Sequence, residues 1–277
     1  VSVSDVNTNH KIVYKVMLKR FMTDFEVAKS ESIPPDYILL TLKLINGKLP
    51  PILPGQFVEI KVPDTAGTFL RRPISIHDVD SSKQTITLLI RIVGNGTKQL
   101  SLLQQGDKLN MVYPLGNGFD LSHVGQRPLL IGGGVGVAPL LYVGRVLKEQ
   151  NVEVNFLFGA RSKKDLLRYD VYSSIGCVNV TTEDGSMGVQ GFVTNHSFMT
   201  LQNISKFTSL LICGPTPMMK AVGKIAKEAN IPCFVSLENK MACGIGVCLC
   251  CVTDTNEGHK CVCSDGPVFD INNLKWE

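Results

Sequence analysis

The stretch Ile131-Gly132-Gly133-Gly134-Val135-Gly136-Val137-Ala138-Pro139 decides the fold of the middle of the chain. An apolar run, Pro128–Ile131, precedes it, and a segment of helix length, Val135–Gln150, overlaps its end and continues beyond it. Glycines between a strand and a helix let a dinucleotide approach the backbone at the helix N-terminus. The spacing is not a regular G-x-G-x-x-G, so a tight strand–helix turn without a ligand also fits. We predict nicotinamide nucleotide contacts at Gly132, Gly133, Gly134 and Gly136.

Strands and helices alternate around this stretch. Apolar strands are predicted at 152–158 and 208–212, and a helix at 215–230. This alternation implies βαβ units on a parallel sheet, which binds ligands at the carboxyl ends of its strands. Cys213, Gly214 and Pro215 follow one strand end and are predicted nucleotide contacts. Cys213 alternatively fits a small core residue.

The preceding part of the chain, from about Asp24 to Leu121, is rich in β-strand patterns. Short apolar runs alternate with turns at Tyr37–Leu44, Gln56–Val62, Thr85–Val93 and Lys108–Tyr113. Repeated runs at this spacing are typical of an antiparallel barrel or a sandwich.

Within this region stands Leu70-Arg71-Arg72-Pro73-Ile74-Ser75-Ile76, and further on come Arg91 and Gly96-Thr97. A flavin dinucleotide needs cations for its pyrophosphate, which Arg72 and Arg91 can supply. Ser75 can reach the ring or ribitol, and a short helix predicted at 97–104 would present its N-terminus to an anion. A surface arginine beside an edge proline would produce part of the same pattern.

Cysteines concentrate near the end of the chain. Of nine in total, six lie in 243–263. A tight cluster in a long chain favours a metal site over a secreted disulfide framework, and predicts a reducing compartment, the cytoplasm.

The spacing within this cluster indicates its chemistry. Cys243, Cys248 and Cys251 form Cys-x4-Cys-x2-Cys, the spacing of the plant-type ferredoxin loop that holds a [2Fe–2S] cluster. Gly244 and Gly246 permit the positive-φ turns that such a loop requires. We predict a fourth ligand at Cys263, on a returning hairpin. A four-thiolate zinc site and buried free thiols remain alternatives.

Charge and hydropathy exclude other classes. The net charge is +4, and residues 1–22 carry four basic residues and one acid, which leaves +1 for the rest. This argues against a nucleic-acid-binding surface. The longest uncharged run, 128–144, is short for a membrane span and rich in glycine. No signal peptide is expected, and residues 1–22 are predicted as an N-terminal extension, of which 1–21 have no role in the fold.

The order Arg-Pro-Ile-Ser, Gly-Gly-Gly-Val-Gly-Val-Ala-Pro, Cys-Gly-Pro resembles the ferredoxin–NADP reductase superfamily. The segments 241–248 and 263–269 are similar to electron-transfer subunits of class B dihydroorotate dehydrogenases, and the resemblance covers about Asp24 to Glu277. It implies a multi-domain β + α/β fold. The expected domains are the extension (1–22), an antiparallel FAD-binding β-barrel (23–122), a parallel-sheet NAD-binding domain (123–230) and a small [2Fe–2S] domain (231–277).

The same resemblance implies an oxidoreductase subunit of pyrimidine biosynthesis. A partner subunit would oxidise dihydroorotate on FMN, and electrons would pass through the [2Fe–2S] cluster and FAD to NAD+. The expected assembly is a heterotetramer of two subunits of each kind. No proton-transfer residue is nominated, because hydride transfer needs position rather than a general base. The resemblance places FAD contacts at Arg72, Pro73, Ile74, Ser75, Leu89, Ile90, Arg91, Gly96 and Thr97, and cluster ligands at Cys243, Cys248, Cys251 and Cys263.

Two other functions remain open from the sequence. A stand-alone or oxygenase-type reductase would move electrons from NAD(P)H to a separate carrier, and a redox sensor would use the cluster as a switch. Arg161, Lys163 and Lys164 could meet the 2′-phosphate of NADP, although the resemblance favours NAD. Cys250 and Cys261 have no counterpart in the family pattern.

Overall fold

A computed structural model describes residues 19–63 and 67–276. Its strands are β1 Phe21–Ile33, β2 Tyr37–Leu44, β3 Phe57–Ile60, β4 Arg72–Asp80, β5 Thr85–Arg91, β6 Lys108–Leu115, β7 Pro128–Gly133, β8 Asn155–Ala160, β9 Cys177–Thr182, β10 Val189–Gln190, β11 Ser209–Cys213, β12 Cys233–Ser236, β13 Val252–Thr255, β14 Gly258–Cys261 and β15 Val268–Asp270. Its α-helices are α1 Asn95–Leu100, α2 Leu140–Glu149, α3 Tyr169–Ser173, α4 Leu201–Ile204 and α5 Thr216–Glu228.

The first six strands close into an antiparallel barrel in the order β1-β2-β5-β4-β3-β6. Its interior is filled by fully buried side chains such as Phe25, Leu40 and Leu88. The structure thus confirms the predicted barrel and removes the sandwich alternative.

The barrel begins earlier than the sequence predicts. Phe21 and Met22 lie in β1 and pair with Tyr113 and Val112 of β6. Residue 21 therefore has a role in the fold, and 21–22 belong to the barrel rather than to an extension. Cross-strand hydrogen bonds extend β1 towards the N-terminus, to residues that precede its apolar pattern. The predicted extension over residues 1–18 lies outside the described residues.

A seven-stranded sheet follows, in the order β10-β9-β8-β7-β11-β12-β15. All its pairings are parallel except that of β12 with β15, which is antiparallel. The predicted parallel nucleotide-binding sheet is confirmed, with an antiparallel strand at one edge. Because β12 and β15 lie beyond residue 230, the sheet draws strands from the cysteine-rich end of the chain.

The predicted helix at 135–150 is divided in two. A 3-10 turn, Gly134–Val137, precedes α2, and Pro139 stands at the junction as the residue that caps α2. Proline cannot donate a backbone hydrogen bond but suits the start of a helix, so the chain turns before α2 begins.

The cysteine-rich end has no separate apolar core. Cys251, Val262, Cys263 and Ile271 pack in the same hydrophobic cluster as residues of the sheet and of α5. This agrees with the small amount of apolar sequence after residue 231. The hairpin β13–β14 carries Cys261 opposite Val252.

Helix length also bears on membrane insertion. Among the described residues, no helix has both the length and the apolar character needed to cross a membrane.

Candidate functional site

A cavity of about 380 Å³ opens where the barrel, the sheet and the cysteine-rich end meet. The barrel contributes eight of the nine predicted flavin contacts to its wall: Arg72, Pro73, Ile74, Ser75, Leu89, Ile90, Arg91 and Thr97. Adjacent strands β4 and β5 supply most of them, because antiparallel pairing places Ile76 opposite Leu88. The structure thus brings together residues that are far apart in sequence.

Gly96, the ninth predicted contact, lies against Arg72. A Cβ on Gly96 would stand 2.5 Å from Arg72 Nε, so the guanidinium packs there without shifting because residue 96 is glycine. Arg72 Nη1 also donates to the carbonyl oxygen of Leu70 at 2.6 Å. The guanidinium is therefore held at the rim of the cavity, where a phosphate would gain a charge-assisted contact.

Thr97 has a structural part in this rim. Its hydroxyl accepts from the backbone nitrogen of Val93 at 2.9 Å and donates to Gly94 O at 3.0 Å. These bonds cap α1, which spans Asn95–Leu100 rather than the predicted 97–104. The predicted start is wrong because Thr97 caps the turn from its third helical position instead of preceding it.

The opposite wall was not found from the sequence. Three segments complete the cavity. They are the glycine turn (residues 132–138), through Val135 and Ala138, the segment 236–241, and Pro267. Ser236 ends strand β12, so the rule that ligands lie at the carboxyl ends of parallel strands could have pointed to it. Met241 brings this wall within two residues of Cys243.

The glycines of the turn have two different roles. A Cβ at Gly133 would meet Met218 Sδ at 2.7 Å, and one at Gly136 would meet the Cys213 backbone, so both permit close packing of the turn against β11 and α5. Gly134 has φ +55° and open space within 4 Å of its Cβ position. Only this last glycine leaves its backbone accessible to an approaching nucleotide.

Cys213 lies in the core of the sheet. Its side chain is completely buried, and it is not among the residues that line the cavity. Burial raises the pKa of the Cys213 thiol well above its usual value, so the sulfur is a neutral thiol. Gly214 and Pro215 continue from it to the start of α5 at Thr216.

The loop 243–251 has the backbone geometry of a wrapped ligand loop. Gly244, Gly246 and Leu249 have φ of +66°, +84° and +56°. Gly246 N donates to Cys263 Sγ at 3.0 Å, and Cys248 N donates to Cys243 Sγ at 3.4 Å. Backbone N–H groups thus point at sulfur atoms, as the predicted cluster requires.

The thiol of Cys243 agrees with this geometry. Burial raises the pKa of Cys243, but hydrogen bonds from the backbone of Ile245 and Cys248 outweigh it and lower the pKa to about 6. A thiolate is the form that ligates metal. Cys263 N donates to Cys251 Sγ at 3.4 Å, which brings two further predicted ligands together.

The remaining thiols differ in exposure. Cys250 is exposed, whereas Cys261 is buried beside Val262. Within residues 19–63 and 67–276, no three Cys, His, Asp or Glu side chains converge as they would around a single metal ion. A [2Fe–2S] cluster instead distributes four thiolates over two irons. The donor set, three cysteines on the wrapped loop and Cys263 after the β13–β14 hairpin, fits that group.

The segment after Cys263 is anchored on the barrel next to the cavity. Asn117 N donates to Gly266 O at 2.6 Å, and its side-chain amide donates to Ser264 O and Asp265 O. These bonds join the end of β6 to the segment that follows Cys263. The segment that follows Cys263, which also carries Pro267 of the cavity wall, is therefore tied to the barrel.

Family models match all three parts of the chain. An oxidoreductase FAD-binding domain matches residues 24–119, and an oxidoreductase NAD-binding domain matches 130–224. The iron–sulfur cluster binding domain of dihydroorotate dehydrogenase B matches 238–275. Together with the barrel, sheet and cysteine loop, these matches define a flavin- and nicotinamide-linked oxidoreductase with an iron–sulfur domain.

Curated relatives narrow this class. The dihydroorotate dehydrogenase B (NAD(+)) electron transfer subunit of Bacillus pumilus is 42% identical over 220 residues, covering 78% of this chain and 83% of the relative. The same subunit of Listeria monocytogenes is 41% identical over 244 residues, covering 86% and 92%. The chain belongs to the family of dihydroorotate dehydrogenase B electron transfer subunits.

Solved structures share the architecture. A chain of the NADH-dependent reduced ferredoxin–NADP oxidoreductase superposes with a TM-score of 0.78 and 29% identity, covering 91% of this chain and 90% of that one. The ferredoxin reductase of a carbazole 1,9a-dioxygenase superposes with a TM-score of 0.67 at 20% identity, covering 78% and 68%, and shows the common fold.

Proposed function

We propose that this chain accepts electrons from the FMN of a dihydroorotate dehydrogenase catalytic subunit and delivers them to NAD+ in pyrimidine biosynthesis. One observation carries the proposal: the cavity lined by Arg72, Ser75 and Arg91 shares its wall with Met241, two residues before Cys243. A flavin there would lie beside the cysteine loop on one side and the glycine turn on the other.

The proposed ligands are those that the sequence nominates. Cys243, Cys248, Cys251 and Cys263 would hold a [2Fe–2S] cluster, and the barrel side of the cavity would hold FAD. Gly134 and the neighbouring turn would hold NAD. A flavin exchanges one or two electrons, so when bound it can join a one-electron cluster to a two-electron nicotinamide.

The protein contributes position and shielding rather than acid–base chemistry. Arg72 and Arg91 would fix the pyrophosphate, and Ser75 can donate a hydrogen bond towards the ring or ribitol. Buried Phe57 and Leu89 on the cavity wall exclude water from one side. Such placement supplies most of what hydride transfer needs.

An exposed apolar surface on the cysteine loop supports a partner. Ile245, Val247 and Leu249 are 38, 75 and 64% exposed, around Cys248. Apolar side chains grouped at a surface loop are typical of protein interfaces. We propose that this loop docks the FMN subunit, in a heterotetramer of two subunits of each kind. The proposed location is the cytoplasm, where cysteines stay reduced; none of the nine cysteines, all of which lie in the described part of the chain, forms a disulfide.

A second candidate function rests on the likeness to the NADH-dependent reduced ferredoxin–NADP oxidoreductase. In that case the chain would exchange electrons with a separate protein carrier instead of an FMN subunit. The carrier would approach the same loop, because electron transfer requires the closest exposed path to the cluster.

Co-expression with a candidate FMN dehydrogenase subunit tests the proposal. The expected result is a co-purifying complex that contains FMN, FAD, iron and acid-labile sulfide and reduces NAD+ with dihydroorotate. The chain alone should reduce dyes with NADH but leave dihydroorotate unchanged. Purified chain that oxidises dihydroorotate unaided, or that transfers electrons only to ferredoxin, would contradict the proposal.

A further inference from the structure

His77 is completely buried between the barrel and the parallel sheet. Its Nδ1 lies 2.7 Å from the carbonyl oxygen of Ala138, and its Nε2 lies 3.3 Å from Arg168 Nη1. A carbonyl only accepts and a guanidinium only donates, so Nδ1 carries the proton and Nε2 accepts. The imidazole is therefore neutral, with both nitrogens engaged by the nucleotide-binding half.

A β-bulge in β4 directs this side chain outward. Ile76 pairs with Leu88 and Asp78 pairs with Thr87, so His77 is the extra residue between them. Bulges turn a side chain away from the regular alternation of a strand, often beside functional sites. Here the bulge points the imidazole out of the barrel, two residues after Ser75 of the flavin cavity.

Both partners of His77 lie on segments that follow strands of the parallel sheet, β7 and β8, at the end where such sheets bind ligands. Ala138 ends the glycine turn and itself lines the cavity. Arg168 follows the loop after β8 and stands at the N-terminal cap of α3. One imidazole thus joins the flavin strand, the glycine turn and the loop after β8.

The surroundings hold this arrangement in place. Tyr172 OH donates to Val137 O at 2.6 Å, and its ring packs edge-on to His77 at 6.3 Å between centroids. Arg145 pairs with Asp78 at 2.8 Å, one residue beyond His77. Burial lowers the pKa of His77 to about 4, partly offset by the hydrogen bond with Ala138 O.

We propose that His77 is a positioning residue for hydride transfer between flavin and nicotinamide. Its hydrogen bond to Ala138 O sets how closely the glycine turn approaches residues 72–75 of β4. Its contact with Arg168 ties the loop after β8 to the same strand. The inference rests on the proposed function, since it concerns the geometry of the step from FAD to NAD.

The test uses the FAD-loaded full chain under anaerobic conditions. NADH is mixed with the chain in a stopped-flow instrument, and the limiting rate of flavin reduction is measured. The long-wavelength charge-transfer absorbance of stacked nicotinamide and flavin is followed in the same traces. The dissociation constant of NAD+ is measured by a separate titration. His77→Phe keeps an aromatic ring at this position but removes the hydrogen bonds to Ala138 and Arg168. We expect it to lose the charge-transfer band and to lower the limiting rate by roughly tenfold or more, with normal FAD content.

Conservative variants keep the test decisive. His77→Asn places an amide donor near Nδ1 and should restore most of the rate. His77→Gln places its amide near Nε2 and leaves Ala138 O without a donor, so it should lose the charge-transfer band and the rate. It gives the same test if His77→Phe does not fold. Arg168→Met should weaken NAD+ binding more than it lowers the limiting rate.

Arg145→Gln is the matched control, because it breaks the neighbouring ion pair with Asp78 without touching the glycine turn. It should retain the charge-transfer band. A His77→Phe or His77→Gln variant with wild-type rate and band, or one indistinguishable from Arg145→Gln, would overturn the positioning role alone. A wild-type chain whose flavin NADH does not reduce would instead overturn the proposed function and this inference with it.

Discussion

Gly244 of the cysteine loop lies directly against Glu59 of β3: a Cβ on Gly244 would stand 2.6 Å from Glu59 Cγ and 3.2 Å from Oε1. Glu59 is 1% exposed, and neither carboxyl oxygen has a hydrogen-bond partner among the described residues. Burial raises the pKa of Glu59 to about 7, against the opposing charge of Arg71. The candidate cluster loop therefore sits on a buried carboxyl group of the flavin barrel.

Substitution of Gly244 should disturb this contact. Gly244→Ala adds a methyl group at φ +66° and forces it onto Glu59, so strain and overpacking together should cost roughly 2–5 kcal/mol. Iron content per chain and the thermal midpoint would both fall. Gly258→Ala is the control, since Gly258 has φ +97° but nothing within 4 Å of its Cβ position. Unchanged iron content in Gly244→Ala would contradict the close packing.

The ligand assignment predicts that serine replacement has different effects on iron content at four of the six clustered cysteines than at the other two. Serine at Cys243, Cys248, Cys251 or Cys263 should abolish or strongly reduce bound iron and acid-labile sulfide, because the cluster needs four thiolates. Serine at Cys250 or Cys261 should leave both contents near the wild-type level. Metal analysis with visible absorption measures the outcome. Loss of iron on replacing Cys261, or stoichiometric zinc in a colourless wild type, would refute the assignment.

Arg72 is expected to carry much of the affinity for FAD. Arg72→Ala removes a charge-assisted contact worth about 1.5–3 kcal/mol, so FAD should bind roughly tenfold to a hundredfold more weakly. Titration of deflavinated protein, followed by flavin fluorescence, gives the dissociation constant. Lys98→Ala, an exposed cation on α1, should bind FAD normally. Equal affinity in the two variants would exclude Arg72 from the phosphate site.

The apolar surface of the cysteine loop should govern association with the FMN subunit. Val247→Asp and Leu249→Asp place a charge where a partner would exclude water, so the complex should weaken at least tenfold. Iron content should stay normal. Leu201→Asp is the matched control. Leu201 lies on α4 in the nucleotide-binding domain, and its side chain is 55% exposed. Binding is measured by titration of the co-purified subunits, and equal loss in all three variants would exclude the loop as the docking surface.

His77 should add a pH-dependent term to folding stability. Its pKa falls from 6.5 to about 4 on folding, so the unfolded chain binds more protons between these values. The neutral, buried His77 contributes up to about 3 kcal/mol to the free energy of unfolding. This contribution is complete above about pH 6.5 and is lost as the pH falls towards 4. Urea unfolding of wild type and His77→Asn from pH 4.5 to 7.5 measures it. The difference between the two should shrink with acid, and a constant difference would disprove the neutral buried imidazole.

Much of the architecture follows from local pattern. Glycine stretches after apolar strands predict the nucleotide-binding sheet, and Tyr37–Leu44 is a strand with the predicted bounds because its apolar run ends at a turn on both sides. The sequence predicts a β-rich region from about Asp24, whereas β1 begins at Phe21, because residues 21 and 22 are held by cross-strand pairing that has no local signature.

The candidate site was only half predictable. The barrel side of the cavity follows from the Arg-Pro-Ile-Ser motif, but Glu238, Met241 and Pro267 on the other side carry no motif of their own. Likewise, His77 has no metal spacing or catalytic neighbour in the sequence. Its role appears only when the bulge in β4 turns it towards Ala138 and Arg168.

The sequence by itself determined which chemistries the chain can hold, because cysteine spacing, strand-end glycines and paired arginines are local and reflect the ligands they must approach. Only the tertiary structure decided how those chemistries meet. The burial of Glu59 beneath Gly244, the shared wall at Met241 and the imidazole bridge at His77 join segments separated by tens to hundreds of residues. Such contacts depend on how barrel, sheet and cysteine loop pack together, and no local pattern encodes that packing.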